Sequence, residues 1–143
     1  PMAIESSRGL ILDTHIWIWL NTASSEISSK TAALIDRAGR AGEVYVHAIT
    51  LWEIATLESK GRITMSMPLE QWMTTALSQP GVGLVPLLPN IAIESARLPA
   101  GFHGDPADRL IVAAARVMRL AVVTRDSKIL AYGKQGHVAI VKG

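Results

Sequence analysis

Short apolar runs alternate with amphipathic stretches along this chain. Leu10 to Leu12, Val44 to Ala48, Gly83 to Pro86, Ala121 to Thr124 and Val138 to Val141 are brief, mostly apolar segments of strand length. Between them the apolar positions recur at helical spacing. Thr14 to about Asn21 reads as a short helix with Ile16, Trp17 and Leu20 inward. The Ser-rich stretch Thr22 to Ser29 reads as a loop, and Ser28 or Ser29 caps a helix that runs to about Gly39, with Ala33, Leu34 and Ala38 apolar. A third helix is expected from Thr50 to about Lys60, stopped by Gly61. Pro68 opens the next at a favoured first-turn position, with the stripe Leu69, Trp72, Met73, Ala76 and Leu77. Asn90 to Leu98 and Pro106 to Leu120 complete the helical set, and a short helix is expected after Asp126. Strands alternating with helices predict an α/β domain of three layers: a central, mostly parallel five-stranded sheet flanked by helices.

Composition narrows the class. The 143 residues are 49 % hydrophobic and 18 % charged, which fits one well-buried domain and excludes a disordered chain. Residues 9–142 are the expected core, with residues 1–8 an N-terminal extension or expression remnant. Asp13, Thr14 and His15 interrupt the segment Leu10 to Leu20, so no membrane helix is expected there, and no signal-peptide pattern opens the chain. With no cysteine there is no disulfide framework, thiolate zinc site or cysteine nucleophile, which fits a cytoplasmic location. The net charge is only +2, but residues 97–143 hold eight Lys or Arg against three acids. Such an excess either faces solvent or meets phosphates.

Four acids carry the chemistry: Asp13, Glu53, Asp108 and Asp126. Each follows a short apolar run or sits near the start of a helical pattern. In a parallel sheet the carboxyl ends of all strands lie on one edge, so acids far apart in sequence meet there. Each also has a purely structural reading. Asp13, Asp105 and Asp126 are suited to cap the helices after them, and Thr50 with Glu53 matches a capping box. Taken together, however, they set four carboxylates on one edge, which repel unless a cation sits among them. Oxygen-only donors of this kind suit Mg²⁺ or Mn²⁺. In the DPADR segment Asp105 caps and orients the helix while Asp108 points into the cleft. Thr124 is placed to hydrogen-bond a site acid or a phosphate. On a helical wheel Leu110, Ile111, Ala114, Val117 and Met118 form the buried arc, with Arg109, Arg116 and Arg119 opposite. His15, His47, His103 and His137 show no metal-site spacing, and His103 lies closest to the acids in sequence. The four tryptophans read as core or interface.

The chain resembles the PIN-domain family, specifically the VapC-type toxins of bacterial toxin–antitoxin pairs. The resemblance spans about residues 9–142 and rests on ILDTHIWIW (Ile11 to Trp19), ITLWEIA (Ile49 to Ala55), HGDPADRLIVAAA (His103 to Ala115) and VVTRDSKILAYG (Val122 to Gly133). It implies that Asp13, Glu53, Asp108 and Asp126 form the acidic catalytic and metal site, with Asp105 supporting. It also implies a Mg²⁺- or Mn²⁺-dependent endoribonuclease, commonly a homodimer, inhibited by a cognate VapB-like antitoxin that reaches the acids with a basic side chain. Ala107 departs from the family, where a bulky residue is frequent. The mechanism so implied is attack by a metal-activated water, leaving a 5′-phosphate and a 3′-hydroxyl. Arg109, Arg116, Arg119, Arg125 and Lys128 are the candidate RNA contacts. Two alternatives stand beside it: a PIN-like binding module without catalysis, and another metal-dependent phosphohydrolase. An aspartyl-phosphate enzyme is disfavoured because Asp13 is followed by Thr14 and His15, with no second Asp at the needed spacing.

Overall fold

A computed structural model describes residues 8–22 and 24–143. Most of the expected N-terminal extension, residues 1–7, lies outside the described residues. Five strands form the sheet: β1 (Leu10–Leu12), β2 (Val44–His47), β3 (Val82–Val85), β4 (Ala121–Thr124) and β5 (Ala139–Lys142). Among the described residues seven α-helices connect and cover them: α1 (Thr14–Leu20), α2 (Ser29–Arg40), α3 (Ala48–Ser59), α4 (Leu69–Leu77), α5 (Pro89–Ala96), α6 (Pro106–Met118) and α7 (Ser127–Lys134). The strand order is β3-β2-β1-β4-β5, and every pairing is parallel. The chain builds outward from β1 to β2 and β3, then returns to place β4 on the other side of β1. The topological switch point therefore falls between β1 and β4, where a crevice opens at the carboxyl ends of an open α/β sheet.

Period-two alternation sends neighbouring strand residues into two separate cores. Leu10, Leu12, Val44, Val46, Ala121 and Val123 face one layer, packed with Trp17 of α1, Ile35 of α2 and Trp72 of α4. Ile11 and Val122 face the other, packed with Ile91 of α5, Ile111 of α6 and Ile129 and Tyr132 of α7. Helix α3 serves both cores, Ile54 packing on the first side and Ile49 on the second. That dual burial explains why α3 is apolar nearly all round. Strands buried on both faces read as continuous apolar runs, which is why the short runs in the sequence locate them.

Several expected boundaries and faces shift. Helix α3 starts at Ala48, and its N-cap is His47, whose Nδ1 accepts a hydrogen bond from the Ile49 amide at 2.9 Å. Thr50 is thus inside the helix and fully buried, so the Thr50–Glu53 capping box does not form. His47 is itself buried, and its Nε2 has no partner among the described residues. Burial lowers its pKa, which keeps the ring neutral and able to accept as a cap. Pro68 is the N-cap of α4, one position before the expected first turn. Strand β3 begins one residue early at Val82, and β5 spans Ala139–Lys142. Helix α6 ends at Met118 because Arg119 adopts a left-handed conformation (φ 61°). Leu20 and Val117, both expected inward, are each 36 % exposed, and Ala33 is exposed while Thr31 and Ile35 carry the buried face of α2.

Candidate active site

The acids converge at the switch point. Asp13 follows β1 directly and caps α1, its Oδ1 accepting from the Thr14 amide at 2.8 Å. Asp126 lies two residues after β4 and caps α7, its Oδ1 accepting from the Lys128 and Ile129 amides at 2.9 and 3.0 Å. Asp105 caps α6 by accepting from the Asp108 amide at 2.9 Å. Capping and site placement are therefore compatible: a helix N-terminus at the sheet's carboxyl edge turns its cap residue toward the crevice. Asp13, Glu53, Asp105, Asp108 and Asp126 line one cleft of about 360 Å³, together with His15, Ile16, Trp19 and Arg125.

Buried hydroxyls fix the acids. Thr124, the last residue of β4, donates to Asp13 Oδ2 at 2.7 Å and accepts from the Asp126 amide at 2.9 Å. It thereby couples the carboxylates that follow the two central strands. Thr14 donates to Glu53 Oε1, and its hydroxyl lies 3.2 Å from that of Thr50. Thr14, Thr50 and Thr124 are all buried. The sequence offers Thr50 only as a helix cap and gives no signal for Thr14, although the i, i+3 spacing of Thr50 and Glu53 already puts those two on one helical face.

The electrostatics record the crowding. Asp108 is raised to about 7, by burial first and then by repulsion from Asp105, Asp13, Asp126 and Glu53. Asp13 is raised by burial and by Asp126, against the lowering effect of its bonds from Thr124 and Thr14. Glu53 is raised by burial, Asp13 and Asp105, against its bond from Thr14. Such a site favours a cation or a proton. Its donors are all oxygen, as Mg²⁺ or Mn²⁺ requires. Among the described residues no three acids or histidines close into a ready-made cage.

Thr124 offers a direct test of this wiring. Thr124→Val keeps the shape but removes one donor and one acceptor in a buried place. It is expected to lower stability by about 1–3 kcal/mol and Mn²⁺ affinity roughly 10- to 100-fold. Thermal melts with calorimetric Mn²⁺ titration check both, and Thr124→Ser should restore most of each. Unchanged Mn²⁺ affinity in a folded Thr124→Val protein would show that the hydroxyl does not position the acids.

The basic residues divide differently from the sequence expectation. Arg109 donates through Nε to the Ser95 carbonyl at 3.0 Å and through a terminal nitrogen to that of Phe102. Arg116 pairs with Glu94 at 2.6 Å and donates to the His137 carbonyl. Both tie α6 to neighbouring segments. Arg119 sits at the start of β4, on the edge of the sheet opposite the acids. Arg125 lies at the cleft, and Lys128 is exposed on the first turn of α7. His103 lines a separate hollow with Phe102, Lys128 and Tyr132.

An all-parallel sheet with carboxylates gathered at its switch point defines an α/β protein with an acidic cleft, and its similarity to known proteins specifies the family. Residues 10–135 match the PIN domain. The chain is 32 % identical over 120 residues to Ribonuclease VapC22 of Mycobacterium tuberculosis (strain ATCC 25618 / H37Rv), covering 84 % of this chain and 88 % of that protein. The fold is similar to that of a chain in VapBC2 from Rickettsia felis bound to a promoter DNA fragment, with TM-score 0.67, 12 % identity and coverage of 92 % and 96 %. It is also similar to FitAcB from Neisseria gonorrhoeae, with TM-score 0.62, 23 % identity and coverage of 93 % and 96 %. The chain belongs to the PIN-domain family, in its VapC-type branch.

Proposed function

We propose that this protein is an endoribonuclease that depends on Mg²⁺ or Mn²⁺ and acts as the toxin of a toxin–antitoxin pair. The observation that carries the reading is the convergence of Asp13, Glu53, Asp105, Asp108 and Asp126 on one cleft. Similarity to a ribonuclease over most of both chains supports RNA as the substrate. Asp13, Asp108 and Asp126 would hold the metal, Glu53 would serve as a ligand or orient the attacking water, and Asp105 holds the amide of Asp108. A bound metal would supply a water of lowered pKa and offset negative charge on the phosphate. Thr14 orients Glu53, while Thr124 orients Asp13 and, through its amide, Asp126. Lys128, exposed on the first turn of α7 two residues after Asp126, is the basic candidate assigned to a phosphate.

The partner reading rests on solved structures of similar fold, which include a toxin–antitoxin complex from Klebsiella pneumoniae. A basic antitoxin side chain fits the same acids, because a guanidinium pairs bidentately with carboxylates and needs no deprotonation. Exposed Leu84 on β3, Leu87 and Leu88 after it and Ile93 on α5 favour a homodimer. No helix among the described residues is long and apolar enough to cross a membrane. The proposed RNA substrate is the ground for a cytoplasmic location, with which a chain lacking cysteine is compatible.

The test is cleavage of a mixed transfer and ribosomal RNA substrate with Mg²⁺, Mn²⁺ or EDTA. Wild type should cut with either metal and not with EDTA, leaving 5′-phosphate ends. Asp13→Asn should lose at least about 100-fold in rate while staying folded. Metal-independent cutting that leaves 2′,3′-cyclic phosphates would refute the mechanism. Failure of the folded wild type to cut any RNA, with Mn²⁺ bound, would favour a binding module.

A further inference from the structure

The cleft has two unlike walls. One is carboxylate; the other is aromatic and cationic, built from His15, Trp19 and Arg125. His15 and Trp19 are one helical turn apart on α1, with ring centroids 5.8 Å apart and planes tilted by 51°. The guanidinium carbon of Arg125 lies 5.1 Å from the centroid of the Trp19 ring. The edges of that guanidinium are occupied. Nε donates to the Gly143 carbonyl at 2.8 Å, one terminal nitrogen to Glu26 Oε2 at 3.2 Å, and the other to the Glu26 carbonyl. A guanidinium with all three nitrogens engaged is poorly placed to grip a phosphate bidentately. Its planar face, like the rings beside it, remains suited to stacking.

These three residues are also placed by the site itself. His15 is two residues beyond Asp13, and Arg125 immediately precedes Asp126. His15 and Arg125 are exposed, and Trp19 is half-buried between core and cleft. The acids and this wall line the same cleft, so a base flanking a phosphodiester seated on the acids would lie within reach of it. Flat aromatic and guanidinium surfaces bind unpaired bases by stacking, whereas bases in a duplex are already stacked and unavailable.

We propose that His15, Trp19 and Arg125 form a nucleobase-stacking subsite for the nucleotide flanking the scissile phosphodiester. This rests on the ribonuclease reading of the same cleft. It gives Arg125 a stacking role in place of the phosphate contact expected from sequence, and Trp19 a ligand-facing role beyond packing.

The probe is a labelled single-stranded uridine oligonucleotide, compared with an otherwise identical oligonucleotide of abasic residues, both in Ca²⁺ with the full chain. Wild type should bind the base-bearing strand about 10-fold or more tightly than the abasic one. His15→Ala, at an exposed position, and Trp19→Leu should lose most of that preference while binding the abasic strand as wild type does. Trp19→Phe should retain it. Equal binding of both strands by wild type, or full preference retained in His15→Ala and folded Trp19→Leu, would overturn the subsite and leave the nuclease reading intact. Base preference in a protein that never cleaves RNA would support the subsite while sinking the nuclease. No binding of either strand would overturn both.

Discussion

Asp108→Asn is expected to stabilise the folded protein while abolishing RNA cleavage. Asp108 titrates near 7 in the folded chain, against 3.8 for an ordinary aspartate, through burial and the four acids around it. Between those values the folded state holds a proton that the unfolded state has released. Stability contributed by this group therefore falls as pH rises through that window, and above it the full penalty is present. Asp108 is only partly buried, so solvent screening reduces the formal value to about 1–2 kcal/mol. Asparagine keeps the shape and removes the charge. It also gives up a favourable interaction with the N-terminus of α6, worth about 0.3–1 kcal/mol, which offsets only part of the gain. The expected net result at about pH 8 is a Tm higher by a few degrees, shrinking toward zero near pH 5. Mn²⁺ should raise the Tm of wild type by mass action and that of Asp108→Asn far less. Thermal melts across pH, with and without Mn²⁺, measure all of this. A variant no more stable than wild type at any pH would mean that the cluster is not under electrostatic strain.

That trade between stability and activity follows from an arrangement largely visible in the sequence. Parallel strands are buried on both faces, so LIL and AVV stand out as apolar runs, and the acids after them fall on one edge by topology alone. The DPADR helix is legible for a similar reason: a capping Asp, a proline in the first turn and a clean apolar period agree with one another. Glu53 marks where local pattern runs out. Thr-x-x-Glu spells a capping box, yet the same spacing places both side chains on one face inside a helix. Only the tertiary partner, Thr14, decides between them. The cap passes to His47 because β2 runs straight into α3, leaving no loop residue to supply an oxygen. The arginines fail in the same way. A helical wheel puts Arg109 and Arg116 outside the core of α6, but it cannot show that the carbonyls of Ser95, Phe102 and His137 wait there. Val117 and Leu20 show the limit of apolarity as a guide, since each lies in the last turn of its helix and is 36 % exposed.

Gly81→Ala should produce the largest loss of stability without touching the chemistry. Gly81 precedes β3 at φ +83°, and a Cβ there would stand 1.8 Å from the Gly39 carbonyl oxygen and 2.6 Å from its carbon. Both contacts are to backbone, within the last turn of α2, so no side chain can swing aside. The left-handed conformation alone costs an alanine about 1–2 kcal/mol. Separating α2 from the β3 turn adds more, because the Gly81 carbonyl accepts from the Val44 amide at 3.3 Å and helps hold β2 in register. A total above about 4 kcal/mol is expected, against a typical stability of 5–15 kcal/mol. Gly42→Ala supplies the control: its φ is +71°, but nothing lies within 4 Å of the added carbon, so only the conformational cost applies. Urea unfolding should therefore show a small shift of midpoint for Gly42→Ala and a large one, or no folded baseline, for Gly81→Ala. Equal shifts would mean that the α2–β3 contact relaxes freely. Gly81 sits at the amino edge of the sheet and the acids at the carboxyl edge, so whatever fraction of Gly81→Ala folds should bind Mn²⁺ as wild type does. Asp108→Asn should do the reverse, folding better and binding worse. Framework and site occupy opposite edges of one sheet, which lets a single substitution load one and spare the other.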